Sequence, residues 1–295
     1  MQNKPVRIER RQALKSLAGA TGALMWPQGL LAAAGKDGSD RLGELLPQRL
    51  LGRTDLRVTM LGIGGWHVGQ MAPRDAQELI EAALAGGVRF FDTAESYQDG
   101  RSEQLYGELL TPKYREDVFL MTKTTARNAT AARQHLEGSL KRLKTDVVDL
   151  WQVHALGDPE DVDTRLGGGV LEEMLRQQAA GRVRQIGFTG HRGPAALQRM
   201  LEETDVPVTC QMPVNVLDPG YESFVNSVLP PLMERGIAVL AMKTLANGRF
   251  FDQVIPGRVS LSEALSFAWS LPISVLIYGP DDVAQLQQTL QVARS

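Results

Sequence analysis

Four side chains with acid–base chemistry follow apolar segments of this sequence. Asp92 ends the segment VRFFD, Tyr97 comes five positions later, Lys123 closes VFLMTK, and His154 closes VVDLWQVH. A phenol ordinarily has a pKa of about 10, and a nearby ammonium lowers that pKa because it favours the phenolate. A carboxylate beside the lysine would keep it charged, and a neutral imidazole can donate a hydrogen bond to a carbonyl oxygen. The set predicts a general acid that protonates an oxyanion as hydride reaches carbon.

Each of these side chains has a simpler interpretation when it is taken alone. An aspartate at a strand end commonly forms a turn, and a tyrosine in a loop commonly packs against its neighbours. A lysine between threonines can extend to water, and a histidine after an apolar segment is commonly a core residue. The chemical interpretation therefore requires one architecture that brings all four to the same end of the molecule.

The pattern of apolar segments supplies that architecture. Short apolar segments alternate with longer ones whose apolar residues recur every three or four positions, as in AQELIEAALAGG. The short segments, each a predicted strand, are 58–64, 88–92, 118–123, 147–154, 184–190, 206–212, 237–243 and 273–279. Alternating strands and helices pair in parallel, and this repetition without a linker predicts an α/β fold, a closed (β/α)8 TIM barrel in a single domain. The active site of such a barrel lies at the carboxyl ends of its strands, where all four side chains stand.

Two other architectures are weaker interpretations of the same sequence. A doubly wound sheet would ordinarily carry G-x-G-x-x-G after its first strand, and no such motif follows the first predicted strand here. A barrel hydrolase with a metal centre would need a cluster of histidine and acidic ligands, and the chain has only four histidines. We therefore predict no metal site.

Charge and cysteine content exclude further classes of protein. The formal net charge of −2 over 295 residues provides no field that would attract nucleic acid or an anionic membrane. The one cysteine, Cys210, cannot form an intramolecular disulfide. In the apolar segment VPVTCQMPV, a small core residue is the favoured interpretation of that thiol.

The first 34 residues differ in composition from the rest of the chain. The basic segment RIERRQALK leads into SLAGATGALMWPQGLLAAAG, and Ala32 and Ala34 form an A-x-A cleavage pattern. The paired Arg10 and Arg11 resemble the twin-arginine signal of bacteria. A membrane anchor is the alternative, but Pro27 and the glycines disfavour a stable spanning helix.

This segment sets the predicted boundaries of the chain. We predict a twin-arginine signal peptide over 1–34, a connector over 35–49 and the barrel over 50–295. The signal predicts a partner, the twin-arginine (Tat) export machinery, and a periplasmic or otherwise exported protein. The protein would be cytoplasmic if the signal is not functional.

The segments GVRFFDTAESY, VFLMTKT and DLWQVHAL resemble, in order and spacing, those of the aldo/keto reductase family. The resemblance extends over about residues 50 to 290. It implies a reductase of aldehydes or ketones with Tyr97 as the general acid, Lys123 tuning the phenol, Asp92 paired with Lys123, and His154 orienting the substrate carbonyl. It also implies a nicotinamide cofactor, NADPH with NADH as the alternative, bound across the mouth of the barrel.

The resemblance also points to the residues around the cofactor. They are Gly64, Trp66, Thr189, Gly190, His191, Gln211, Met242, Lys243, Thr244, Leu245, Gly279, Asp281 and Gln285. Among these, Gln211 matches a glutamine of the family that contacts the nicotinamide amide. Lys243 would touch a pyrophosphate oxygen or else stand as a solvated loop lysine.

The cofactor segments depart from the family at three places. Gly190 stands where an asparagine is common, Met242 or its neighbours replace a stacking aromatic, and Asp281 lies where members that use NADP carry a basic residue. An acid there offsets a helix dipole, and it also repels a phosphate dianion. We therefore expect weakened selectivity for NADP.

The substrate is the least constrained part of the prediction. The residues Trp66, His67, Tyr97, Trp151 and Phe250 could line an apolar pocket, or simply pack. The alternative function is a nucleotide-holding binding or sensor module of the same fold, which the departures from the family keep open. The intact set of four favours the enzyme, because a pure binding role needs no phenol–ammonium pair. The oligomeric state is left open.

Overall fold

The computed structural model describes residues 38–249 and 257–295, and a closed ring of parallel strands lies at its centre. The strands are β1 Leu61–Gly64, β2 Phe90–Asp92, β3 Phe119–Thr124, β4 Val148–Leu156, β5 Val183–Gly190, β6 Thr209–Pro213, β7 Ala238–Met242 and β8 Val275–Tyr278. Neighbours in the ring are neighbours in the chain, and the ring closes where Leu276 of β8 pairs with Leu61 of β1. The predicted (β/α)8 TIM barrel in a single domain is confirmed.

Helices follow the strands and cover the outside of the ring. The longer ones are α1 Pro73–Ala85, α2 Arg101–Leu109, α3 Ala129–Leu143, α4 Pro159–Gly167, α5 Val170–Ala179, α6 Pro194–Glu203, α7 Leu229–Glu234, α8 Leu261–Ser270 and α9 Val283–Arg294. Local sequence starts several of them: the Asn128 side chain accepts from Ala131 N, and Ser260 and Glu263 form a capping box. Among the described residues, none of the helices has the length and apolar character needed to cross a bilayer.

Two small hairpins precede the barrel, and one of them shortens the predicted first strand. Residues 58 and 59, expected in the first barrel strand, instead belong to a strand over 57–59 that pairs antiparallel with 48–50, so this hairpin spans residue 50, where the barrel was predicted to begin. Residues 39–40 pair with 43–44, and the Asp40 carboxylate binds Arg89 of the barrel at 2.7 Å. The predicted connector is therefore packed on the barrel from residue 38 onward. The predicted signal peptide, 1–34, lies outside the described residues.

The interior of the ring is apolar at the amino-terminal ends of the strands and polar at their carboxyl-terminal ends. Phe90 and Phe119 stack with ring centroids 4.8 Å apart, and Leu51, which directly follows residues 48–50 of the second hairpin, packs with them. Side chains alternate along a strand, so Lys123 shares the inward face of β3 with Phe119 and Met121. The apolar layer therefore closes the amino-terminal end of the ring, and ionisable side chains occupy the carboxyl-terminal end.

Candidate active site

Asp92, Lys123 and Tyr97 form one buried cluster at the carboxyl-terminal mouth of the ring. The Lys123 ammonium donates to the Asp92 carboxylate, to the Thr93 carbonyl oxygen at 2.8 Å and to the Tyr97 hydroxyl at 3.1 Å. Lys123 is 1% exposed and Asp92 is 2% exposed. The three donors of the ammonium thus each have a partner, which fixes the distance between the charge and the phenol.

Burial dominates the ionisation of this cluster. Burial raises the pKa of the Tyr97 phenol, and the Lys123 ammonium offsets that rise only in part. The ammonium thus acts on the phenol pKa in the predicted direction, but burial outweighs it in the protein alone. Burial also raises the pKa of Asp92, against the attraction of Lys123. For Lys123, burial acts to lower the pKa, but the Asp92 carboxylate and the interaction with Tyr97 raise it overall. At neutral pH the phenol keeps its proton and the lysine keeps its charge.

A strained loop carries Tyr97 over the mouth. Gln98 and Asp99, directly after the tyrosine, have φ of 46° and 53°, a left-handed conformation that costs a non-glycine residue roughly 1–2 kcal/mol. The loop is anchored below: Ser102 Oγ donates to the Gly65 carbonyl oxygen at 2.8 Å. A Cβ at Gly65 would lie 2.4 Å from the Asp92 carbonyl oxygen, so a larger residue there would displace the end of β2.

His154 completes the group of four. Its ring lies 5.6 Å from the Tyr97 ring between centroids, and its Nδ1 lies 3.3 Å from Ser96 Oγ. Burial lowers the pKa of His154 well below its usual range, and its neighbours Lys123, His191 and Arg165 act in the same direction. The imidazole is therefore neutral at neutral pH and carries one N–H. The structure thus brings together the four residues that the sequence placed at strand ends.

Trp66 lies beside this group rather than in the main cleft. It is 50% exposed, and its ring meets the Tyr97 ring edge to face with centroids 5.3 Å apart. Trp151, proposed as a pocket residue, is fully buried in the core between the ring and the helices, because its side chain points away from the barrel interior. Phe250 lies outside the described residues.

A cleft of about 440 Å³ opens from the ends of β7 and β8 toward α9. It is lined by six of the residues predicted to bind cofactor: Lys243, Thr244, Leu245, Gly279, Asp281 and Gln285. His67 and Tyr278 line it as well, although neither was among the predicted cofactor residues and His67 was expected only in an apolar substrate pocket. His67 follows Trp66 directly after β1. It reaches this cleft because β8 pairs with β1, which brings His67 next to the residues that follow β8.

The remaining predicted cofactor residues lie between this cleft and the group of four. Thr189 and Gly190 end β5, with His191 directly after them, Gln211 lies in β6, and Met242 ends β7. A Cβ at Gly190 would meet Leu197 Cδ2 at 2.9 Å, so the α6 side chain occupies the space that an asparagine would need. Gly64 ends β1, where an added Cβ would contact Ile277 and Tyr278 of β8. The predicted residues thus follow one arc around the mouth, from β5 through β8 to β1.

Polar atoms along this arc are arranged to receive a ligand. The side-chain oxygens of Gln211 and Thr244, Oε1 and Oγ1, are buried without a hydrogen-bond partner among residues 38–249 and 257–295. A buried acceptor that lacks a donor is costly, and an amide N–H of a bound molecule would satisfy Gln211. Lys243, with φ of 56°, forms no ion pair with any described residue, and burial lowers its pKa. These residues fit a nicotinamide dinucleotide, which has an amide at one end and a charged pyrophosphate.

Asp281 and Asp282, at the end of the arc, make different contacts. Asp282 caps α9 by accepting from Gln285 N at 2.8 Å, as expected for an acid at a helix start. Asp281 instead approaches His67, with Oδ1 2.8 Å from Nδ1, and remains largely exposed. A carboxylate therefore stands at the open end of the cleft.

Comparisons with known proteins agree with this geometry. The sequence matches the family described as "Aldo/keto reductase family" over residues 60–259. It is 32% identical over 239 residues to 6-dehydroglucose reductase of Novosphingobium aromaticivorans, covering 74% of this chain and 75% of that protein. It is 31% identical over 187 residues to methylglyoxal reductase of Escherichia coli, covering 62% and 58%. The fold of an aldo-keto reductase from Bacillus halodurans in its holo form superposes with a TM-score of 0.73 at 22% identity, over 85% of this chain and 91% of that one. The chain therefore belongs to the aldo/keto reductase family and is an NAD(P)H-dependent oxidoreductase that acts on carbonyl groups.

Proposed function

We propose that this protein reduces an aldehyde or ketone to an alcohol with Tyr97 as the general acid. The observation that carries the proposal is the Tyr97 hydroxyl, held 3.1 Å from an ammonium that is itself paired with a buried carboxylate. When bound, the nicotinamide cofactor supplies hydride to the carbonyl carbon. Tyr97 donates its proton to the oxygen as negative charge develops there.

Each neighbour of Tyr97 has a role in this proton transfer. The Lys123 ammonium stabilises the phenolate that remains once the proton has left, so it lowers the cost of the step. The Asp92 carboxylate holds the ammonium in place and charged. Neutral His154 donates its one N–H to the carbonyl oxygen and so orients the carbonyl toward the phenol.

In our proposal, different residues of the arc would hold different parts of the cofactor. Gln211 Oε1 would accept from the carboxamide of the nicotinamide, and Lys243 would hold the pyrophosphate. Gly279, Asp281 and Gln285 border the end of the cleft that would hold the adenosine.

A test of this function measures binding of NADPH and NADH by the full-length protein, then cofactor oxidation with a panel of aldehydes. Tight binding without turnover would favour the nucleotide-holding module instead.

Preference between the two cofactors depends on Asp281 in our proposal. A carboxylate accepts hydrogen bonds from ribose hydroxyls but repels a phosphate on the same ribose. We expect NADH to bind with an affinity within about tenfold of that for NADPH, and Asp281→Arg to shift the ratio toward NADPH by about tenfold or more. Fluorescence titration of both cofactors gives the two dissociation constants.

The control for this prediction is the neighbouring acid. Asp282→Asn removes a charge but keeps a good helix cap, and we expect it to change the ratio by less than threefold. A parent preference for NADPH above about a hundredfold, equivalent to roughly 2.7 kcal/mol, would contradict the role given to Asp281.

We propose that the protein is exported by the twin-arginine pathway to the periplasm. The proposal rests on the sequence of residues 1–34 alone, with its paired arginines, apolar segment and A-x-A pattern. Replacing Arg10 and Arg11 together by lysine is expected to leave the protein in the cytoplasm at its precursor size. Cell fractionation with immunodetection measures this. Equal distribution of parent and variant would show that the segment is not a functional signal.

A further inference from the structure

The end of β4 departs from regular strand geometry at His154. The ladder with β5 is regular as far as Val153, opposite Phe188, and resumes at Leu156, opposite Gly190. His154 and Ala155 lie in the irregular part between them, and Ala155 has a φ of +53°. A left-handed alanine is strained, and bulges next to active sites set the direction of a side chain. The ladder therefore does not fix the His154–Ala155 peptide, and something else has to hold it.

Arg165 and Asp161 of α4, outside the ring, form hydrogen bonds with the backbone around this peptide. Arg165 Nη1 donates to the His154 carbonyl oxygen at 2.9 Å. The same guanidinium binds the Asp161 carboxylate through two nitrogens, Nε at 3.1 Å and Nη2 at 2.9 Å. Asp161 Oδ2 accepts in turn from Gly157 N at 3.1 Å. We call these two side chains the α4 clamp; it binds the chain on both sides of the strained alanine.

The clamp is built of buried charges. Arg165 is 7% exposed and Asp161 is 9% exposed, and they lie one turn apart on the same face of α4. Burial acts to raise the pKa of Asp161, but the hydrogen bonds from Arg165 and the Gly157 N–H outweigh burial and lower it. A bidentate arginine–carboxylate pair of this kind holds its geometry closely. The clamp can therefore hold a backbone conformation that the local sequence disfavours.

We propose that Arg165 is a positioning residue for the reduction. With Asp161, it holds the His154–Ala155 peptide in the left-handed conformation, so that the His154 ring stays turned toward Tyr97. This inference rests on the role proposed above for His154. Arg165 touches neither the phenol nor the mouth of the barrel in the contacts described, and it acts through the carbonyl of His154.

Relief of strain at Ala155 gives the test. Arg165→Gln keeps a polar side chain but loses the positive charge and the guanidinium group that binds Asp161 and the His154 carbonyl oxygen at the same time. We expect this change to lower kcat/KM for an aldehyde about thirtyfold, with little change in cofactor affinity. Glycine adopts a positive φ without strain, so in an Ala155→Gly background the same change should cost less than about fivefold. Arg165→Lys, which can bind only one of the two partners well, should fall between the parent and Arg165→Gln.

A neighbouring arginine provides the matched control. Arg127 Nη1 also binds Asp161, at 2.7 Å, but its side chain is 58% exposed and it makes no described contact with His154. Arg127→Gln should retain kcat/KM within about twofold. If Arg127→Gln is as damaging as Arg165→Gln, general loosening of α4 is the cause and the proposal is overturned.

A spectroscopic readout separates this proposal from the proposed function. The imidazole resonances of His154 in NMR spectra should shift in Arg165→Gln and return toward the parent in the double variant with Ala155→Gly. An equal loss in both backgrounds, or unchanged resonances, would overturn the clamp. If thermal melting shows that Arg165→Gln is unfolded, the same comparison is made with Arg165→Lys. If the parent reduces no aldehyde, the proposed function fails, and the resonances still decide what the clamp does.

Discussion

Tyr97→Phe is expected to lower kcat for aldehyde reduction about a thousandfold while it changes the cofactor dissociation constant by less than threefold. The change removes one oxygen from a half-buried ring and leaves the contacts of that ring with Trp66 and His154 in place. General acid catalysis by a placed side chain contributes about a hundred- to ten-thousandfold, and no other described hydroxyl lies within hydrogen-bond distance of Lys123 Nζ. Steady-state kinetics and a cofactor titration measure both quantities.

A fully buried tyrosine, Tyr106, is the control for this result. Tyr106 of α2 is fully buried against Phe91, with ring centroids 5.8 Å apart, and its hydroxyl has no hydrogen-bond partner among the described residues. Tyr106→Phe removes the same atom outside the proposed site, so it should leave kcat near that of the parent. Aldehyde reduction by Tyr97→Phe at the parent rate would mean that another group donates the proton.

Lys123→Met is expected to lower kcat more than a hundredfold and to destabilise the fold by about 3–5 kcal/mol. The ammonium is fully buried and is the described ion-pair partner of Asp92, so its loss leaves a carboxylate buried without a counter-charge. It also removes the charge that stabilises the phenolate of Tyr97. Kinetics, together with unfolding in denaturant, give the two effects separately.

The pH dependence of that stability loss has a definite sign. Burial already raises the pKa of Asp92 in the parent, and the loss of the ammonium raises it further. An acid whose folded pKa lies above its unfolded value favours the folded state when it is protonated. The deficit of Lys123→Met should therefore grow as the pH rises from the folded-state pKa of Asp92 in the parent to its higher value in the variant, a window above the usual carboxyl range, and shrink as the pH falls back through that window.

Neutralising both partners separates stability from catalysis. The double variant Asp92→Asn with Lys123→Met removes the uncompensated charge, so we expect it to recover at least half of the lost stability but none of the lost activity. Recovery of activity along with stability would show that the lysine serves only to neutralise Asp92.

Much of the fold could be predicted from the sequence because its signals are local. Each barrel strand is short and apolar, each helix has a periodic apolar stripe, and the chain order of the two is the order around the ring. The first strand was the exception: Val58 and Thr59, predicted at its start, belong to a hairpin with 48–50, and an apolar pattern does not say which partner a strand pairs with. The sequence likewise could not place Trp151, because adjacent strand residues point to opposite sides of the sheet.

The chain by itself determined which groups stand at the mouth, since residues at strand ends must meet there once the ring closes. Only the tertiary structure decided what those groups do to one another. The pKa of Tyr97 follows from burial outweighing Lys123, and the pairing of His67 with Asp281 follows from β8 closing against β1. The hydrogen bond from Arg165 of α4 to the His154 carbonyl oxygen joins two residues that no sequence pattern connects. Desolvation and long-range contacts depend on the positions of atoms far apart in the chain, and those positions exist only in the folded protein.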